Sequence, residues 1–262
     1  MKLSEIVTIS FKEEAKRIEA EMARKAEQQL ILYTDGHLVD RHLSSCSMFC
    51  RAVVNTGYLS ESQMQRAALR YRLGMSRDGG VIFWQIGRSG HIYDGKIMYY
   101  LNNCHRDHSH NPTWVYAELK KFYLADMPDL MAELSFPHSL FGMHLLDTDS
   151  CPIAIVESEK TAFIMSELFP DYTWMATGGL SELSASKLFA LKGRKIVIFP
   201  DTDETGNTYA KWHGLVKQSE QLLGQKIYLS PLLEQHASKD QKRRKIDLVE
   251  YYFESKDFSR EK

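Results

Sequence analysis

Two short apolar segments in the second half of the chain each end at a carboxylate. Ile153–Val156 is followed by Glu157, and residues 195–199 are followed closely by Asp201 and Asp203. Continuous β-branched runs of this length, each leading into a helix-forming segment, are typical of buried strands in a parallel sheet. Because α/β sheets bind ligands at the carboxyl ends of their strands, we expect Glu157, Asp201 and Asp203 to share one pocket.

The pattern around these two runs alternates regularly between strands and helices. Such alternation predicts a mostly parallel sheet of four strands with helices on both faces. The predicted elements are strand 153–156, helix 159–168, strand 173–176, a Thr-Gly-Gly loop at 177–179, helix 183–191, strand 195–199, helix 206–223 and strand 226–229. A short helix is also predicted over 246–252.

The first half of the chain has mixed patterns. Residues 14–29 and 44–55 have helical composition, and Ser60 with Gln63 has the spacing of a capping box that opens a helix running towards Gly74. From Gly80 the period changes to two, which predicts a β-hairpin over 81–100 with its turn at 87–90. A polar loop at 104–110 then leads to a further strand at Trp114. We therefore divide the chain into an N-terminal helical region (1–75), a small mixed α/β subdomain (76–147) and a C-terminal α/β domain (148–262).

Composition narrows the functional class only slightly. The chain has 262 residues, 44% of them hydrophobic and 26% charged, with a formal net charge of −1. A near-neutral total is compatible with an acidic metal site and a separate basic surface, whose charges cancel in the sum. The first residues lack a secretory signal and no apolar run has the length of a membrane span, so we expect a cytoplasmic protein that does not bind membranes.

The cysteines and histidines raise the question of a zinc site. Cys46, Cys50 and Cys104 could contribute with the histidines of the 104–110 loop. The gap of three residues between Cys46 and Cys50, without a second paired unit, favours packing in the core instead. Four scattered cysteines are also more typical of reduced thiols than of disulfides.

Converging carboxylates indicate a particular chemistry. They raise one another's pKa unless a cation lies among them, and their hard oxygens suit Mg²⁺ or Mn²⁺. Glu157, Asp201 and Asp203 are thus the candidate catalytic and metal-binding residues of a phosphoryl-transfer site, with Gly178, Gly179 and Gly206 allowing close turns around it. The alternative is that the Asp-Thr-Asp segment only caps the following helix.

Together, these motifs resemble those of a known protein domain. The order Ile-Val-Glu157-Ser-Glu-Lys-Thr-Ala, Ala-Thr-Gly-Gly179 and Phe-Pro-Asp201-Thr-Asp203-Glu-Thr-Gly206 resembles the Toprim domain, and within it the primase-like branch. The Gly80–Tyr100 hairpin resembles the subdomain that precedes Toprim in primases, and Lys245-Ile246-Asp247 resembles an element in which some primases place a late acidic residue. The chain differs from the usual pattern at Ser158 and Thr205, where glycine and alanine are common. A zinc module of the kind that precedes this arrangement in mobile-element primases is not recognisable.

The resemblance implies a Mg²⁺- or Mn²⁺-dependent, primase-like nucleotidyltransferase that acts on single-stranded DNA with nucleotide triphosphates, beside a helicase or another replication protein. Basic residues would then contact the nucleic acid, and the candidates are Arg88, Lys96, Lys160, Lys242, Arg243 and Arg244. On the hairpin, the same charges are equally compatible with plain core structure and solvated side chains. Two alternatives stay open: a Toprim nuclease, and a non-catalytic DNA-binding or inhibitory accessory protein.

Overall fold

A computed structural model of the chain describes residues 37–123, 138–148 and 150–260, together with positions 13, 16–18 and 20. The helix predicted for 14–29 lies outside the described residues, apart from a few helical positions. Among the described residues two compact units are present. The N-terminal unit lies within 31–148 and 163–170. The C-terminal unit lies within 149–162 and 171–262 and also includes the few described positions before residue 31.

Three helices open the described part of the N-terminal unit: α1 (His37–His42), α2 (Met48–Asn55) and α3 (Glu61–Arg70). Ser47 caps α2, because its side chain accepts a hydrogen bond from the backbone N–H of Cys50. The predicted capping box is confirmed at α3, where Ser60 and Gln63 exchange side-chain and backbone hydrogen bonds. Both helices begin at the residue after the cap, so α2 begins at Met48 rather than at Ser44.

The predicted hairpin is the centre of an antiparallel four-stranded sheet in the order β1-β2-β3-β4. The strands are β1 (Gly74–Met75), β2 (Val81–Ile86), β3 (Ile92–Met98) and β4 (Thr113–Trp114), and α4 (Val115–Tyr123) follows directly. One face of the sheet packs against Val39 of α1 and Tyr116 of α4. On the other face the ring of Phe83 contacts Phe49 and Phe141 at 5.3 and 5.5 Å between centroids. Every residue of β2 is therefore buried.

The C-terminal unit contains the parallel sheet that the alternating pattern predicts. Its strands run in the order β6-β5-β7-β8, and every neighbouring pair is parallel. They are β5 (Ile153–Val156), β6 (Thr173–Ala176), β7 (Ile196–Ile198) and β8 (Ile227–Leu229). All residues of β5 and β6 are buried, as expected for strands covered on both faces.

The helices between and after these strands are α5 (Glu159–Leu168), α6 (Ala185–Phe189), α7 (Asn207–Leu223), α8 (Leu232–His236), α9 (Lys239–Arg244) and α10 (Leu248–Arg260). From Phe163 onward, α5 belongs to the N-terminal unit. A short 3₁₀ helix, Met143–Leu145, lies before the parallel sheet. None of the helices in the described ranges has both the length and the apolar composition needed to span a membrane.

Candidate functional site

The carboxyl ends of β5 and β7 lie side by side, which brings the two predicted acidic positions to one edge of the parallel sheet. Ile155 and Ile198 are register partners, and the N–H of Phe199 donates to the carbonyl of Ile155 at 2.8 Å. Glu157 follows β5 and Asp201 follows β7 at this edge. The adjacent, parallel placement of β5 and β7 is as predicted, whereas a pocket shared by Glu157, Asp201 and Asp203 stays a prediction.

Asp201 has the most unusual environment of the candidate site. Its Oδ1 is buried and has no hydrogen-bond partner among the described residues. Burial raises the pKa of Asp201 well above its usual value, the charges of Asp247 and Glu157 raise it further, and the ammonium of Lys160 opposes them. An anionic Asp201 is thus unfavourable unless a further cation or donor reaches it.

Asp247 lies at the N-terminus of α10 and has every carboxylate oxygen engaged. Its Oδ1 accepts from the backbone N–H groups of Val249 and Glu250, both at 2.9 Å. Its Oδ2 accepts from the hydroxyl of Thr161 at 3.0 Å and from Nζ of Lys160 at 2.9 Å. Burial acts to raise the pKa of Asp247, but Lys160 and these hydrogen bonds outweigh burial and lower it.

Asp247 and Glu250 are the participants that the sequence reasoning did not commit to as site residues. The backbone N–H of Asp247 donates to Oε2 of Glu250 at 3.3 Å, so the two form a reciprocal helix cap. Their Asp-x-x-Glu spacing before an apolar run was the available signal. It indicates a helix start but does not reveal which distant side chain Asp247 meets.

Lys160 lies among these acids. It belongs to the first turn of α5 and is 8% exposed. Besides its contact with Asp247, its Nζ lies 3.7 Å from Oε1 of Glu250. The residue was expected to contact nucleic acid, and the structure instead places it in a buried ion pair.

Asp203 is engaged as a helix cap, which corresponds to the alternative reading of the Asp-Thr-Asp segment. Its Oδ1 accepts from the N–H groups of Thr205 and Asn207 and from the Thr205 hydroxyl, and its Oδ2 accepts from the N–H of Thr208 at 2.6 Å. Burial acts to raise the pKa of Asp203, but the hydrogen bonds from Thr205 and Thr208 dominate and hold it well below its usual value. Asp203 therefore stabilises the start of α7.

Two of the three predicted turn glycines have backbone conformations that favour glycine. Gly178 has φ of +87° and Gly206 has φ of +72°. A Cβ at Gly206 would also lie 3.3 Å from Oε1 of Glu234. At Gly179, in contrast, a Cβ would meet only Cγ of Glu182 at an ordinary 3.6 Å.

The two basic candidates of the hairpin have different environments. Arg88 lies in the turn after β2, and its exposed side chain makes a 2.5 Å ion pair with Asp147. Lys96 lies in β3 between Phe83 and Trp114 of the neighbouring strands and is only 9% exposed. Arg88 is thus available to a large ligand at the cost of a surface ion pair, whereas Lys96 is largely enclosed.

The basic segment before α10 forms helix α9, and three of its cations, Lys242, Arg243 and Arg244, are paired with acids. Lys242 donates to the backbone carbonyl and to Oε1 of Glu234, at 2.6 and 3.0 Å. Arg243 and Arg244 both contact Asp240, and Arg244 also makes two 2.8 Å contacts with the carboxylate of Glu254. Binding of a phosphate by any of these cations would compete with an existing intramolecular partner.

The described part of the chain contains no group of three or more His, Cys, Asp or Glu side chains arranged to hold a metal ion. The four cysteines, all within the described residues, are not joined in disulfides, as predicted, and Cys50 is buried with its Sγ near the hydroxyl of Ser47. The unpartnered buried oxygen of Asp201 nevertheless fits a hard divalent cation. Such a cation would balance the carboxylates that disfavour the charge on Asp201, and Mg²⁺ completes its coordination with waters.

The profile of one protein family, a domain of unknown function designated DUF6371, matches residues 47–202. This stretch is more than half of the 262 residues. The chain belongs to the DUF6371 family. No curated protein and no solved structure matches the chain.

The DUF6371 match covers all four strands of the antiparallel sheet and β5, β6 and β7 of the parallel sheet, and it includes three residues of the candidate site. Glu157, Lys160 and Asp201 lie inside the matched stretch, while Asp203 and Asp247 lie beyond its end. The part of the site that contains the unpartnered oxygen therefore belongs to the DUF6371 region, and the helix-capping aspartates follow it.

Proposed function

We propose that this DUF6371 protein is a Mg²⁺- or Mn²⁺-dependent nucleic-acid enzyme of primase type, with a Toprim domain in residues 148–262. The observation that carries the proposal is the buried, unpartnered Oδ1 of Asp201 at the carboxyl edge of a parallel sheet, with Glu157 at the end of the adjacent strand. Carboxylate oxygens at such an edge suit a cation that engages phosphate oxygens.

The residues that would hold the ion are Asp201 and Glu157. When bound, the ion would supply charge stabilisation at the reacting phosphorus of a nucleotide triphosphate. Asp203 accepts four hydrogen bonds at the start of α7. These bonds hold the loop between β7 and α7, which carries Asp201, in one conformation. Gly206, with its positive φ, allows the chain to turn from that loop into the helix.

Single-stranded DNA is the proposed template, with a helicase or another replication protein as an associate. Arg88 is the best placed of the predicted nucleic-acid contacts, because its side chain is 64% exposed in a hairpin turn. A surface ion pair such as Arg88–Asp147 contributes little to stability, so a DNA phosphate can replace Asp147 as the partner of Arg88 at small cost. Lys242, Arg243 and Arg244 of α9 are weaker candidates for contacts with DNA, because each already has an acidic partner.

The test is an assay of the full chain with single-stranded DNA, labelled nucleotides, and Mg²⁺ or Mn²⁺. We expect extended or newly made oligonucleotides from the wild type and none from Asp201→Asn, which keeps the size of the side chain but removes its charge. Asp171→Asn is the matched control, because Asp171 is exposed and lies outside the site. It should retain full activity.

The same assay separates the competing functions. Shortened DNA whose appearance depends on Asp201 would replace the primase proposal with a nuclease. Binding of DNA that weakens with salt, without either product, would support a non-catalytic accessory protein.

A further inference from the structure

Asp247 has no carboxylate position left for a metal ion. An ionised carboxylate offers about four acceptor positions, two on each oxygen. Each oxygen of Asp247 already accepts two donors: Val249 and Glu250 on Oδ1, and Thr161 and Lys160 on Oδ2. A metal could bind Asp247 only by displacing one of these donors: an N–H group at the cap of α10, the hydroxyl of Thr161 or the ammonium of Lys160.

Asp203 is less suited as a second ligand, because its carboxylate is engaged at the start of α7. Three donors occupy its Oδ1, and its Oδ2 accepts the N–H of Thr208 at 2.6 Å. These bonds satisfy N–H groups at the start of a helix of 17 residues, which have no partner within the helix. Coordination of a metal by Oδ1 would leave such groups unsatisfied.

Asp201 is different, since its Oδ1 has no partner among the described residues. Glu157, on the adjacent strand end, is the neighbour that could join it in coordination. A pair of divalent ions about 4 Å apart requires carboxylates that bridge or flank both ions. The other acids whose charges act on Asp201 are Asp247 and Glu250, and Nζ of Lys160 lies 2.9 and 3.7 Å from their oxygens.

We propose that Lys160 takes the place of a second divalent cation, so that the site binds one Mg²⁺ or Mn²⁺, at Asp201. This inference rests on the proposed function and deepens it. The ammonium is a fixed positive charge with three donors, and in this position it neutralises Asp247 and Glu250 without metal. Lys160 is therefore a positioning residue for the acidic site.

The test counts bound Mn²⁺ directly, by the electron paramagnetic resonance signal of free Mn²⁺ during titration of the full chain. We expect one ion per chain for the wild type, one for Lys160→Arg, and none for Asp201→Asn. Lys160→Ala removes the ammonium and vacates the space between Asp247 and Glu250, and we expect it to bind two ions, the second more weakly. The control Asp171→Asn should bind one.

Two ions in the wild type, or none, would overturn the inference, and so would a folded Lys160→Ala variant that still binds a single ion. If Lys160→Ala does not fold, the counts for the wild type and Lys160→Arg decide. The proposed function is judged separately by its products: a wild type that binds two ions and makes oligonucleotides keeps the function and loses only the role of Lys160. A wild type that binds one ion and makes no product keeps the metal site and loses the primase activity.

Discussion

Nζ of Lys160 lies 2.9 Å from Oδ2 of Asp247, and both side chains are about nine-tenths buried. The pair joins the first turn of α5 to the cap of α10. Removal of one partner of a buried ion pair leaves an uncompensated charge, which typically costs about 3–5 kcal/mol. The pair thus connects the C-terminal helix of the described chain to the sheet edge that bears the acids.

We expect Lys160→Met to lower the free energy of unfolding by about 3 kcal/mol, because it leaves Asp247 charged and buried. Urea denaturation followed by circular dichroism measures this change. The double variant Lys160→Met/Asp247→Asn should recover part of the loss, since asparagine carries no charge and keeps an acceptor for the N–H groups of α10. Equal stability of the single and double variants would contradict the role given to the buried charge.

A second prediction concerns the link between stability and metal at Asp201. In the presence of EDTA, we expect Asp201→Asn to be more stable than the wild type, since burial and neighbouring carboxylates disfavour the charged form of Asp201. Addition of Mg²⁺ should raise the melting temperature of the wild type through binding to the folded state. The corresponding stabilisation free energy is about 2.7 kcal/mol when free Mg²⁺ is at a hundredfold excess over Kd. The variant should show no such rise.

The prediction is checked by thermal unfolding with EDTA and with Mg²⁺. The proteins compared are the wild type, Asp201→Asn and the exposed control Asp171→Asn. A rise in the melting temperature of Asp201→Asn equal to that of the wild type would place the ion elsewhere.

The buried carboxyl group of Asp94 in β3 leads us to expect that the stability of the N-terminal unit depends on pH. Burial raises the pKa of Asp94 from 3.8 to about 6, against the hydrogen bonds from the N–H groups of Tyr116 and Gly95. The folded state therefore binds more protons than the unfolded state between these values. The stability from this group is fully present below about pH 4 and is lost as the pH rises through 6, a change of roughly 3 kcal/mol.

Asp94→Asn keeps an acceptor at Oδ1 but cannot ionise. We expect the variant to be more stable than the wild type at pH 7.5 and to lack this part of the pH dependence, as measured by urea denaturation at several pH values. Parallel curves for the two proteins between about pH 4 and pH 7 would show that Asp94 does not titrate in this range.

Two glycines of the same segment give a matched pair of substitutions. Gly206 has φ of +72° and a Cβ there would face Glu234, whereas Gly214 lies within α7, where an added Cβ would meet nothing within 4 Å. We expect Gly206→Ala to destabilise the protein by about 1–2 kcal/mol through backbone strain, and Gly214→Ala to stabilise it by about 0.5–1 kcal/mol through helix propensity. Both changes are read from denaturation midpoints, and the same sign for both would refute the backbone argument.

The local elements of the C-terminal unit were predictable in detail. Strands 153–156 and 173–176 and helix 159–168 have the predicted bounds, because a fully buried parallel strand is a short apolar run and the following helix starts at its own polar cap. The shorter elements differ slightly: the helix predicted for 183–191 spans 185–189, and the last helix continues beyond the predicted 252. Helix ends depend on caps and packing that a local pattern specifies poorly.

The environment of single charges was less predictable. Lys96 follows the alternation of a half-exposed strand, but both faces of its sheet are covered, so it is nearly buried. The two aspartates after β7 have the same local signal, yet Asp203 caps a helix while Asp201 retains an unpartnered oxygen. The two aspartates are two residues apart in the loop before α7, and the course of the backbone there decides which carboxylate turns towards the helix.

The sequence by itself determined the order of strands and helices, the presence of a parallel sheet, and the edge at which Glu157 and Asp201 lie. These features follow from local hydrophobic patterning and from the common direction of parallel strands. Only the tertiary structure decided the partners of the charges. The ammonium of Lys160 meets Asp247 because α10 returns to the first turn of α5. An ion pair between residues so far apart in the chain depends on the whole path between them, which no local pattern records.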